Sequence, residues 1–142
     1  MDIKGKAEAL IRIYHTNNPF FIAENLGIHI IYSDLGQTWG CCHTYRRIKF
    51  IHISSHLSEA NQKYTCAHEL GHAVLHKGIS TPYLKSHTLF SIDRIERQAN
   101  TFAVEILLPD YLIKKYPSYT IECLSQACGI PERMEILKSK YT

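Results

Sequence analysis

The pentapeptide His68-Glu69-Leu70-Gly71-His72 restricts this chain more than any other stretch. Side chains four apart lie on one face of an α-helix, one turn from each other, so both imidazoles can reach a single ion. The flanking residues supply that helix. Ser58 can cap it, Glu59 to about His76 can form it, Gly78 can end it, and Tyr64, Ala67, Leu70 and Val74 give it an apolar stripe. Two such histidines can hold Zn²⁺ at about 2.0–2.1 Å. Glu69 then points to the flank, placed as a general base for water that zinc acidifies towards a pKa of about 7. With nine histidines in 142 residues the pentapeptide alone is only suggestive, and its context carries the argument.

A catalytic zinc site needs a third protein ligand and an open fourth position. His76 lies four residues beyond His72, but ligands at i, i+4 and i+8 span about 12 Å of helix axis and cannot converge. His76 reads instead as a helix C-terminal residue favoured by the dipole. The metzincin pattern is excluded, because Leu75 and Gly78 stand where it requires Gly and His. Glu96 is the better candidate. It belongs to a second helix, expected from Ile92 with Ser91 as cap to the stop at Pro109. There Glu96, Ala99, Asn100 and Ala103 share a face whose alanines permit close approach, and Asn100 can hydrogen-bond a ligating imidazole. Phe102 and Ile106 can anchor this helix. Glu105 faces the other way and reads as a solvated or paired carboxylate.

The rest of the chain frames these two helices. Ile3 to Tyr14 has helical spacing, and Pro19 to Gly27 reads as a short second helix. Ile28–Ser33, Thr38–Tyr45 and Ile48–Ser54 are rich in β-branched and aromatic residues, which predicts a small antiparallel sheet. Residues 77–90 form a long connection that can rim a cleft. A short helix after Pro109, a break at Pro117, a helix from Ile121 to Cys128 and another from Pro131 to Lys140 complete the expectation. The fold class is α+β in one domain, residues 1–142, with a catalytic core over about 20–110 and a C-terminal helical hairpin over about 119–140.

Composition narrows the setting. The net charge of +3 is interspersed, with sharp basic pairs only at Arg46-Arg47 and Lys114-Lys115, which argues against direct nucleic-acid binding. Neither a signal-peptide core nor a run of 18 apolar residues is present, so no membrane association is expected and the location is cytoplasmic. Five cysteines, odd in number and without CxxC, read as reduced thiols.

The stretches Cys66–His76, Ile95–Ala103 and Leu107-Leu108-Pro109 resemble the ImmA/IrrE metallopeptidases, and the likeness covers about residues 20–110. The resemblance implies a zincin-like minimal fold with a gluzincin-type site. By position, His68, His72 and Glu96 would be the metal ligands and Glu69 the catalytic glutamate. Zn²⁺ is the implied ion, and two His with a carboxylate would also accept Mn²⁺. The implied activity is site-specific cleavage of a protein substrate, a helix-turn-helix repressor, which derepresses genes; members occur on phages and other mobile elements. Many members carry a second Glu where this chain has Gln98, which leaves Glu96 without a close rival.

Three further readings remain open. Ile121 to Lys138 has a helix-turn-helix look and could make the protein a DNA-binding or repressor-docking regulator with a non-catalytic metal. The plainer reading is a hairpin packed on the core, since Glu132 and Glu135 stand where a reading helix wants Arg, Asn or Gln. Cys41, Cys42 and His43 with His52 and His56 could form a structural zinc module, although they lack the paired spacing of such sites. Tyr64, Tyr83 and His87 are candidates to stabilise an oxyanion.

Overall fold

A computed structural model of the chain describes residues 1–76, 83–84 and 94–138. Helix α1, Ile3–Tyr14, starts where the Asp2 carboxylate accepts from the Gly5 amide at 2.9 Å. Helix α2, Pro19–Asn25, starts at an Asn18 cap with proline in its first turn. It ends where the Gly27 and Ile28 amides fold back onto the Glu24 and Ala23 carbonyls.

Four strands follow: β1, His29–Ser33; β2, Thr38–Tyr45; β3, Ile48–Ser54; and the two-residue β4, Tyr83–Leu84. Their order is β1-β3-β2-β4. The sheet is mixed, which corrects the antiparallel expectation: β1 runs parallel to β3, pairing His29 with Phe50 and Ser33 with Ser54. The cause lies in the two connections. Arg46 and Arg47 both take positive φ in a two-residue turn that makes β2 and β3 antiparallel neighbours. The short Asp34–Gln37 link reverses the chain after β1, so β1, docked on the far edge of β3, must point the same way as β3. Alternation within a strand carries no information about which edge it joins.

The inner sheet face, with Gly40, Cys42, Ile51 and Ile53, lies against helix α3, Glu59–Leu75. The Ser58 hydroxyl caps α3 by accepting from the Asn61 amide. Every residue from Tyr64 to Ala73 is buried, beyond the single apolar stripe expected. The reason is packing on two sides: the sheet covers one face and helix α4, Arg94–Leu107, covers another. Two glycines set these approaches. A Cβ on Gly40 would stand 2.5 Å from the Thr65 methyl, and one on Gly71 would stand 3.1 Å from Phe102 Cδ1 and 3.3 Å from Ala99 Cα. The expected start of α4 at Ser91 and Ile92, and the 77–90 connection apart from β4, lie outside the described residues.

Helices α5, Asp110–Lys115, and α6, Ile121–Ala127, lead to a single 3₁₀ turn, Met134–Leu137. The α-helix expected from Pro131 is thus replaced by a turn over the described part of that segment. Arg133, at φ 74°, is left-handed and interrupts helical propagation. A reading helix of helix-turn-helix type is therefore absent among the described residues.

Glu105 proves buried and paired, with no solvated face. Lys138 binds it and also reaches Asp110 Oδ1 at 2.9 Å, while Asp110 Oδ2 meets Lys4 Nζ at 2.8 Å. The network ties α1, α4 and α5 to the tail. Burial works against the Asp110 charge, but Lys4 and Lys138 outweigh it and hold its carboxyl below the ordinary range. Replacing Lys138 by Met should cost about 3 kcal/mol in urea unfolding at neutral pH, because it strands the buried Glu105 carboxylate. A depressed carboxyl pKa stabilises above its unfolded value and loses that contribution as acid protonates it. The deficit of the variant should therefore shrink below about pH 4.

Candidate metal centre

Helix α3 places His68, Glu69 and His72 in the interior, and α4 delivers Glu96 beside them. His68 Nε2 lies 3.0 Å from Glu96 Oε2, His72 Nε2 lies 3.0 Å from Glu96 Oε1, and the two Nε2 atoms are 3.2 Å apart. The sequence-predicted set of His68, His72 and Glu96 thus converges. Glu69 stands close by, with Oε2 at 3.9 Å from His68 Nε2. Ligand atoms of His68, Glu69 and His72 also cluster within 4.8 Å. Glu96 fits the ligand role better because its oxygens stand 3.0 Å from both imidazoles, whereas Glu69 comes no nearer than 3.9 Å to His68 Nε2.

The far side of each ring fixes what the near side offers. Asn100 Oδ1 accepts from the Tyr64 hydroxyl at 3.0 Å and faces His68 Nδ1 at 2.7 Å. That oxygen requires the proton on His68 Nδ1, which leaves the lone pair on Nε2. A second relay serves the other ligand. Gln98 Oε1 faces His76 Nε2 at 2.7 Å, and His76 Nδ1 faces His72 Nδ1 at 3.0 Å. With the Gln98 carbonyl accepting from His76 Nε2–H, His76 Nδ1 can accept from His72 Nδ1–H, which leaves the lone pair on His72 Nε2. Two lone pairs and a carboxylate therefore meet without a proton among them. Such a triad is satisfied by a cation at their common centre, which is the test the donor set passes.

Burial and neighbouring charge set which of these groups hold protons. Burial lowers the His68 pKa, with a further push from His72 that the Glu96 and Asn100 hydrogen bonds only partly oppose. Burial disfavours the Glu96 charge, but where a proton takes the place of a cation the hydrogen bonds and charge of His68 and His72 outweigh it and hold the carboxyl at about 2. A neutral imidazole and an ionised carboxylate are the ligating forms. Glu69 moves oppositely: burial, then the neighbouring Glu96 charge, push its pKa well above the ordinary carboxyl range. Both Glu69 oxygens are buried without a hydrogen-bond partner.

Other candidates separate. Cys42 turns to the core, where burial, reinforced by the Glu69 charge, pushes its thiol up to about 12. His56 pairs with Asp34 at 3.2 Å, and His43 stacks on His52 and Phe50. The proposed Cys41, Cys42, His43, His52 and His56 module therefore does not assemble. Among the described residues, the only group of three or more His, Cys, Asp or Glu positioned for a metal is the one on α3. Tyr64 is fully buried with its hydroxyl given to Asn100, so it supports a ligand and is not directed at a substrate. His87 and the Tyr83 side chain lie outside the described residues.

Sequence reasoning named His76 and Gln98 but missed their part in orienting His72. The spacing that bars His76 from the ion also brings it to His72, so that signal was available; nothing in the sequence marks Gln98 for that part.

The comparisons agree with this geometry. Residues 23–135 match the IrrE N-terminal-like domain, peptidase family M78. The chain belongs to this family. The match runs beyond the expected core of 20–110 and takes in α5, α6 and the first half of the 3₁₀ turn. The chain is 40% identical over 139 residues to "Uncharacterized immunity region protein 2" of Bacillus phage phi105, covering 96% of this chain and 88% of the relative. It is 34% identical over 119 residues to Metallopeptidase ImmA of Bacillus subtilis strain 168, covering 82% and 69%. M78 membership implies a metal ion, and the His and Glu side chains above are the groups that fit one.

Two substitutions test how the site is held. His76→Ala, which frees the Nδ1 side of His72, should weaken zinc binding about 10–100-fold in competition with a chelator. Gly71→Ala drives a methyl into α4 and should both weaken zinc binding and lower urea stability by about 1–3 kcal/mol. An unchanged affinity in either variant would contradict the corresponding role.

Proposed function

We propose that this protein is a zinc-dependent, site-specific endopeptidase in which His68, His72 and Glu96 hold the ion and Glu69 is the general base. The observation that carries the reading is the pinning of both Nδ1 protons by Asn100 and His76, which aims two lone pairs at the Glu96 carboxylate. When bound, the ion supplies Lewis-acid polarisation of a scissile carbonyl and makes water acidic enough to react near neutrality.

The protein's own residues do the remainder. Glu69 takes the proton of the attacking water and returns it to the departing amine. Its two oxygens, buried without a hydrogen-bond partner, are available for that exchange. Asn100 and His76 keep the rings in one tautomer and one orientation.

We further propose a cytoplasmic, single-domain enzyme whose substrate is a helix-turn-helix repressor. The ImmA/IrrE resemblance implies that substrate, and the immunity-region name of the phage relative accords with it. Among the described residues, no helix is long and apolar enough to cross a membrane.

The test is co-expression with the repressor encoded beside this gene, comparing wild type with Glu69→Gln. Both proteins should carry one zinc per chain by mass spectrometry, and only wild type should cut the repressor at a single site. Loss of the base should slow cleavage by at least about 10²-fold. Wild type without metal, or cleavage by Glu69→Gln at the wild-type rate, would end this reading.

A further inference from the structure

Each ligating imidazole is braced from behind, His68 by Asn100 and His72 by His76, whereas no hydrogen bond among the described residues holds the Glu69 carboxylate. A general base works only while it is aligned with the proton it takes. One turn earlier on α3 stands Thr65, 0% exposed, whose hydroxyl also has no hydrogen-bond partner. A threonine inside a helix ordinarily returns its hydroxyl to the carbonyl four residues back, as Thr101 does to Arg97 at 2.8 Å. Thr65 makes no such bond.

The two side chains share one wall. Residues four apart lie on the same helix face, and both meet β2 at Gly40, where an added Cβ would stand 2.5 Å from the Thr65 methyl and 3.6 Å from Glu69 Cγ. Long side chains on a helix lean back over the preceding turn, which carries the Glu69 carboxylate toward Thr65. Cβ atoms at this spacing are about 5–6 Å apart, a gap that a hydroxyl and a glutamate oxygen close to hydrogen-bond length by side-chain rotation alone. The cysteines that feel the Glu69 charge, Cys41, Cys42 and Cys66, offer only thiols, which are weak donors. Burying a hydroxyl and a carboxylate unpaired is costly for each, and one bond between them removes both costs.

We propose that Thr65 is a positioning residue: its hydroxyl donates to one Glu69 oxygen and turns the other toward the metal residues, a role that rests on the peptidase reading above. Glu69 Oε2 already lies on that side, 3.9 Å from His68 Nε2, which leaves Oε1 for Thr65. Thr65 touches neither ion nor substrate and acts only through the carboxylate. With it, base and ligands are held alike, each by a neighbouring polar side chain on α3 or α4.

Thr65→Val removes the hydroxyl and keeps the shape. With the zinc-loaded, full-length protein acting on the repressor encoded beside this gene, it should lower kcat about tenfold, less than Glu69→Gln does, and leave KM in place. Thr65→Ser, which keeps the hydroxyl, should recover most of that loss. Zinc affinity in competition with a chelator should match wild type, because Thr65 supports the base and no ligand. An unchanged kcat in Thr65→Val, an equal loss in Thr65→Ser, or a fall in zinc affinity that accounts for the loss would each overturn the assignment. A second readout needs no activity. In urea unfolding of the metal-free protein, Thr65→Val should lower the midpoint when Glu69 is present and raise it in a Glu69→Leu background, where the hydroxyl is stranded. The same shift in both backgrounds would show the two groups to be uncoupled and end the proposal. Shifts of opposite sign with no cleavage by wild type would sink the peptidase reading and not the Thr65–Glu69 bond; cleavage by wild type with equal shifts would do the reverse.

Discussion

Two imidazole nitrogens and a carboxylate, with no proton to share between them, stand about 3 Å apart in the interior of this protein, and the surrounding structure is arranged to keep them there. The arrangement is unfavourable without a cation, since lone pairs face an ionised oxygen in a region that water does not screen. It persists because each proton is held elsewhere: His68 gives its own to Asn100, which Tyr64 also braces, and His72 gives its own to His76, which Gln98 orients. Tyr64, Asn100, His76 and Gln98 contribute no ligand atom, yet they decide what the ligand atoms present.

Holding that triad demands a specific closeness of backbone. Glu96 reaches two histidines on another helix only because α3 and α4 nearly touch, and Gly71 is where they do. On the opposite side, Gly40 lets the sheet come down on α3 beside Glu69. The result is a helix buried over ten consecutive residues, polar ones included, which accounts for the opposed shifts of Glu69 and Glu96. Both are desolvated, Glu69 more completely; Glu96 has two imidazoles to offset it, and Glu69 has only the negative charge of Glu96.

Away from the site, charge is used in two different ways. Lys4, Asp110, Lys138 and Glu105 close on one another in the interior and fasten the tail to α1, α4 and α5. Glu122, Glu132 and Glu135 line a groove at the surface, without an ion-pair partner among the described residues. The first group is satisfied by the fold itself, whereas the second is open to solvent.

Much of this was legible in the residues. The i, i+4 histidines required a helix, Ser58 and the apolar stripe located it, and the Ala99, Asn100 and Ala103 face identified which helix brings Glu96 and which side chain would brace an imidazole. Local signals of this kind, caps, periodicity and turn residues, act within a few residues and so survive in one dimension. The parallel docking of β1 on β3, the burial of Glu105, the break at Arg133, the relay through His76 and Gln98 and the assembly of the acidic groove were decided only by the tertiary structure. Each depends on contact between segments distant in sequence, or on whether a local preference yields to packing, and neither spacing nor composition encodes which side chain will be waiting there.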